Sequence, residues 1–179
     1  MKGEWGIYKH PALLYRLHRI KKHIYTRVAD VTVAITTDSE PIPYDERLNR
    51  NYRPLQKGDV WGKAYDCAWL HVKGVIPAEL ASSHLVVIIA IDGEGVYYNN
   101  EMKVCAINSR CTFMDYLQPT WDRRVIAIDD ATRCGLLDVW IDISFNGKIV
   151  QPFGKAKFHD AYIALCRDDI KDMYYEYMT

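Results

Sequence analysis

Leu136-Leu-Asp-Val-Trp-Ile-Asp-Ile-Ser-Phe145 sets apolar side chains at every second position: Leu137, Val139, Ile141, Ile143 and Phe145. Successive side chains of a strand point to opposite faces, so this unbroken apolar face must enter a core. Asp138, Trp140, Asp142 and Ser144 are thereby sent outward. The run Leu85-Val-Val-Ile-Ile-Ala-Ile91 is apolar throughout. It is far too short to span a bilayer and reads as a buried strand.

Around these two stretches, the chain from Gly58 to about Phe158 reads as short strands at 64–75, 84–91, 95–99, 102–107, 111–117, 123–129 and 136–145. Turn chemistry separates them, at Pro77, Asp92-Gly93, Asn99-Asn100, Asn108-Ser109, Asp129-Asp130 and Asn146-Gly147. Many short strands without helices between them predict a mainly β fold, an antiparallel sandwich of the jelly roll, galactose-binding-like kind.

The flanks read differently. Between Ile7 and about Val28, the apolar residues Leu13, Leu17, Ile20, Ile24 and Val28 recur at helical spacing, with Arg16, Arg19, Lys22 and His23 on the rest of the surface. Such a basic face is solvated while the apolar stripe docks on its own domain. Asp30–Thr37 alternates like a half-buried strand, and Pro41, Pro43 and Pro54 make 38–59 a long surface connection. From His159 to Met178, the residues Ile163, Cys166, Ile170, Met173 and Tyr177 fall on one side of a helix. The expected organisation is thus 1–57 for helix, strand and connection, 58–158 for the sandwich and 159–179 for a C-terminal helix.

Composition excludes several classes of function. Lysine plus arginine and aspartate plus glutamate number 23 each, so no overall field draws nucleic acid or anionic lipid to the chain. The N-terminal residues lack the pattern of a signal peptide, and a cytoplasmic, membrane-free protein is expected. Five cysteines without a C-x-x-C pair are expected as reduced thiols, with neither disulfide nor structural zinc. The six histidines lack metal-site spacing, so no metal ligand and no cofactor is assigned here, and each histidine is read as structural or surface.

Three groups of residues invite chemistry. Asp92 and Glu94, in Asp92-Gly-Glu-Gly95, are the carboxylates a small glycosidase would use. Gly93 and Gly95 beside them instead suggest a turn needing positive φ or close backbone approach, fixed by carboxylate-to-amide hydrogen bonds. No catalytic residue is therefore assigned. Trp140 between Asp138 and Asp142 can stack on a sugar ring while the carboxylates accept hydroxyl hydrogen bonds, or it can be covered by a further element or domain. Trp121, in a loop with basic neighbours, is the tryptophan expected at the surface, whereas Trp69 is core if both faces of its strand are buried.

Trp61-Gly62, Trp69-Leu70 and Ile76-Pro77, then Asp92-Gly-Glu-Gly-Val96, then Ala164-Leu-Cys-Arg-Asp-Asp-Ile-Lys-Asp-Met-Tyr-Tyr175 together resemble the N-terminal domain of glycoside hydrolase family 38 α-mannosidases, over roughly residues 58–177. Where that family has an Asp-Gly hairpin turn, this chain has Asn99-Asn100-Glu101, and Asn tolerates the left-handed conformation such turns need. The resemblance implies a non-catalytic accessory domain of a zinc-dependent enzyme that hydrolyses terminal α-mannosides. The zinc ligands and nucleophile then belong to a downstream catalytic domain, which is the expected partner, alongside a homo-oligomer contact and carbohydrate. The alternative is a free-standing carbohydrate-binding module using Trp140.

Overall fold

The computed structural model describes residues 11–99, 102–108, 124–128, 135–146 and 154–177. Among these residues ten strands, all antiparallel, run in the order β7-β6-β9-β4-β1-β10-β5-β8, with β2 on β1 and β3 on β10. They are β1 (Tyr25–Asp38), β2 (Arg53–Pro54), β3 (Val60–Gly62), β4 (Cys67–Val75), β5 (Leu85–Ile91), β6 (Glu94–Asn99), β7 (Met102–Ile107), β8 (Val125–Ala127), β9 (Leu136–Ser144) and β10 (Ala156–Cys166). Helix α1 (Pro11–Lys21) precedes them and α2 (Asp168–Glu176) follows.

The sheet folds over at β1. Tyr25–Asp30 pairs with β10 from Cys166 to Tyr162, whereas Val31–Asp38 pairs with β4 from Gly74 to Cys67. One layer is therefore β1-β10-β5-β8 and the other β1-β4-β9-β6-β7. Between them lies the main core, which takes Val33, Leu70, Val72, Val139, Ile141 and Ile143 from one layer and Val87, Ile89, Ile91, Ile126 and Ile163 from the other. The alternation in β9 is realised in full: Leu137, Val139, Ile141, Ile143 and Phe145 are all 2% exposed or less. At about 25 cal/mol per Å² of apolar surface removed from water, such burial is the chief force holding the layers together.

Each layer also has its outer face covered. On the β5–β10 side, Val86, Ile88, Ala164 and Cys166 pack against Leu17 of α1, Ile24 and Tyr174 of α2, which is why every residue of Leu85–Ile91 is buried. On the β4–β9 side, Trp69, Tyr98 and Trp140 are covered by Ile42, Tyr44 and Tyr52. The connection after β1 is thus a strap with a 3-10 helix at Tyr44–Asn49 laid across the sheet.

Four sequence expectations change. The N-terminal helix ends at Lys21 rather than near Val28, because Tyr25-Thr26-Arg27-Val28 is rich in strand formers and extends β1 towards the N-terminus. The stretch from His159 to Cys166, read as helix, is the second half of β10, and only Asp168 onward is helical. A register shift between Phe158 and Asp160 moves the core-facing side chains from Ala156 and Phe158 to Ala161 and Ile163, which destroys the period of two that marks a strand. The sandwich accordingly draws β1 and most of β10 from beyond 58–158. Finally, 38–59 is a packed strap, with Ile42, Arg47 and Leu55 buried, rather than a surface connection. The expected strand at 111–117 lies outside the described residues.

Candidate functional site

The Asp92-Gly-Glu-Gly95 segment joins β5 in one layer to β6 in the other. Gly93 has φ +135°, and a Cβ there would stand 2.8 Å from the Ile143 side chain. A Cβ on Gly95 would stand 2.3 Å from the Asp142 carbonyl oxygen. The first glycine supplies a backbone conformation, and both permit β9 to approach.

Asp92 is 1% exposed and points away from solvent. Its Oδ2 accepts the Lys157 amide at 3.1 Å and its Oδ1 meets His159 Nε2 at 3.0 Å. Its backbone N–H donates to Lys157 O at 2.9 Å, and its carbonyl accepts Trp61 Nε1–H at 3.0 Å. Glu94, by contrast, is exposed and meets Asn146 Nδ2 at 3.5 Å. One carboxylate is sealed inside and the other faces water, so the geometry ties Asp92 to strand pairing rather than to Glu94.

The Trp140 face is occupied by the chain's own residues. His71, directly opposite on β4, stacks on Trp140 with ring centroids 3.7 Å apart and 14° between planes. Tyr52 meets Trp140 edge-on at 5.7 Å. Arg47 is 7% exposed, and its guanidinium lies 3.5 Å over Tyr44, 5.3 Å over Trp140 and 5.9 Å over Trp69. It donates to Tyr44 O at 2.7 Å, so cation–π attraction and one carbonyl clamp the strap. Trp69 is 1% exposed, with Nε1–H donating to Ile42 O at 2.9 Å.

Asp138 is exposed and holds His71 Nε2 at 2.7 Å and Lys73 Nζ at 3.7 Å. Asp142 is half-buried opposite Trp69. The structure thus brings Asp138 and Trp140 together through His71, with a ring already stacked on the indole. Trp121 lies outside the described residues.

A third cluster escaped the sequence reading. His84, just before β5, places Nδ1 2.9 and 2.8 Å from the two carboxylate oxygens of Asp168 at the start of α2, and Cys166 Sγ lies 3.5 Å from Asp168 Oδ1. Burial, then the Asp168 carboxylate, hold the Cys166 thiol up at about 11. The hydrogen bond from His84 keeps the Asp168 carboxyl below its ordinary value. The only sequence signal was the Cys166-Arg-Asp168 spacing at the end of a strand paired with the one that His84 precedes. Among the described residues, Cys67, Cys105 and Cys166 are not joined in a disulfide, while Cys111 and Cys134 lie outside the described residues.

Residues 27–166 match a family model described as the alpha-mannosidase jelly roll domain. None of the curated proteins matches the chain.

Proposed function

The chain belongs to the alpha-mannosidase jelly roll domain family, and on that premise we propose that it is the non-catalytic N-terminal domain of a cytoplasmic, zinc-dependent α-mannosidase of glycoside hydrolase family 38. The parent enzyme would hydrolyse terminal α-mannosides in oligosaccharides, with the zinc ligands and the nucleophile supplied by a downstream catalytic domain. No motif of this chain corresponds to those ligands, so no step of hydrolysis is assigned to it. Its work is to brace the catalytic domain and to contribute an oligomer contact.

The observation that carries this reading is the family match across both layers of the sandwich, from β1 to the end of β10. Two features support it. The carboxylate nearest to a glycosidase motif, Asp92, is sealed against β10 and His159. At the end of helix α2, Met173 and Tyr177, one turn apart, are 38% and 55% exposed, an apolar and aromatic patch suited to a neighbouring domain. Among the described residues no helix is long and apolar enough to cross a membrane.

The test is hydrolysis of an aryl α-mannoside by the chain alone and by the protein purified from its native source. Turnover confined to a longer native protein is the expected result. Turnover by the chain alone, abolished in Asp92→Ala, would overturn the reading.

A further inference from the structure

The cluster of His84, Cys166 and Asp168 lies where β5 begins, β10 ends and α2 starts. We propose that these three side chains form a binding site for one Zn²⁺ ion, which fastens the first turn of α2 to the end of the β5–β10 pair.

The backbone holds the ligands in place before any ion arrives. Leu85 pairs with Leu165 in the sheet, and the Cys166 amide donates to the His84 carbonyl at 2.8 Å. The Arg167 amide donates to Ile24 O at 2.8 Å, fixing the step from strand to helix. His84 Nδ1, Cys166 Sγ and an Asp168 oxygen all fall within 4.8 Å of one another. A tetrahedral ion with bonds of about 2.0–2.3 Å sets neighbouring ligand atoms roughly 3.3–3.6 Å apart. The sulfur–carboxylate pair already stands at 3.5 Å, and the imidazole–carboxylate pair at 2.8 Å has to open slightly, by rotation of side chains that border solvent.

The donor set selects the metal. One imidazole, one thiolate and one carboxylate suit Zn²⁺, whereas Mg²⁺ and Ca²⁺ need oxygen ligands. A neutral imidazole, a thiolate and a carboxylate carry two negative charges together, which balance the ion. Without an ion, His84 pairs with the Asp168 carboxylate and the Cys166 thiol donates to the same carboxylate, so all three ligand atoms converge on one point. Cys166 is buried, His84 half-buried and Asp168 exposed, so an ion enters from the Asp168 side and keeps a coordination position open to water. On binding, the ion replaces the thiol proton, which passes to solvent.

Titration of the metal-free 179-residue chain with Co²⁺ as a spectroscopic probe, followed by displacement with Zn²⁺, tests the proposal. Uptake of one ion per chain with thiolate-to-cobalt charge-transfer absorption is expected, as is a melting temperature that rises with Zn²⁺ concentration. Cys166→Ser removes the absorption and Cys67→Ser keeps it. The surface substitutions His84→Asn and Asp168→Asn, which leave the core intact, weaken binding more than about tenfold, since loss of even an outer partner of a ligand costs about 10–100-fold. No uptake, uptake without thiolate absorption, or unchanged affinity in both surface variants overturns the site.

Discussion

Asp92 and His159 meet at 3.0 Å across the β5–β10 pair, although the carboxylate is 1% exposed and the imidazole side chain is 32% exposed. The contact joins the interior to the surface. The same carboxylate holds the Lys157 amide, beside the register shift that redirects β10. Asp92→Ala leaves that amide and the imidazole without this acceptor. A loss of about 2–3 kcal/mol is expected, with a melting temperature lower by roughly 5–10 °C. Asp92→Asn, which retains an acceptor for the amide, loses less. Thermal unfolding of the two variants checks the order.

Gly95→Ala forces a Cβ to within 2.3 Å of the Asp142 carbonyl, and backbone cannot yield as a side-chain tip can. The β6–β9 pairing is expected to weaken by about 3 kcal/mol. Gly135→Ala, where an added Cβ meets nothing within 4 Å, stays within about 0.5 kcal/mol of wild type. Denaturant titration of both variants decides between steric approach and a general intolerance of lost glycine.

These features were unequally legible in the sequence. The period of two in Leu136–Phe145 specified β9, and the glycines of Asp92–Gly95 marked a turn with close backbone approach, because both signals are local. β10 was misread because its register shift breaks the alternation and because both of its faces are covered, one by the main core and one by the helices. Spacing alone cannot separate such a strand from a buried helix. Trp140 was sent outward from the main core, where the structure places it, but the prolines of the connection after β1 gave no sign that Tyr44, Arg47 and Tyr52 would return to cover it. His84 and Asp168 meet only through strand pairing, which no local window contains.

Tyr25 and Tyr52 carry a pH dependence. Burial holds both phenols up at about 12; Cys166, Tyr175 and Asp168 add to the rise for Tyr25, while Arg47 and Arg50 oppose it for Tyr52. In the unfolded chain a phenol ionises near 10. The folded chain therefore binds these protons more tightly, and the stability they contribute is complete below about pH 10 and lost as pH rises towards about 12. Ultraviolet titration should show two phenols ionising late, towards about pH 12, and Tyr52→Phe should remove one of them. Ionisation of all of them in a single early step would contradict the burial.

The stacked His71 also predicts how Trp140 responds to sugars. With an imidazole 3.7 Å from the indole centroid and Tyr52 against it, α-mannosides, galactosides and glucans are expected to leave tryptophan fluorescence unchanged. His71→Ala should shift the emission to longer wavelength by admitting water. Quenching by one of these glycans in wild type, absent in Trp140→Ala, would instead favour the carbohydrate-binding module.

β1 pairs with β4 along one part of its length and with β10 along another, so the first of the described strands is completed by the last of them. On the ribosome, which adds about 5–20 residues per second, β1 must wait for nearly the whole domain before Tyr25 finds Cys166. Until then its apolar side chains and one bare edge are open to other nascent chains. Closure of such distant contacts is intrinsically slow, and the demand for protection from chaperones falls on the interval before residue 166 emerges.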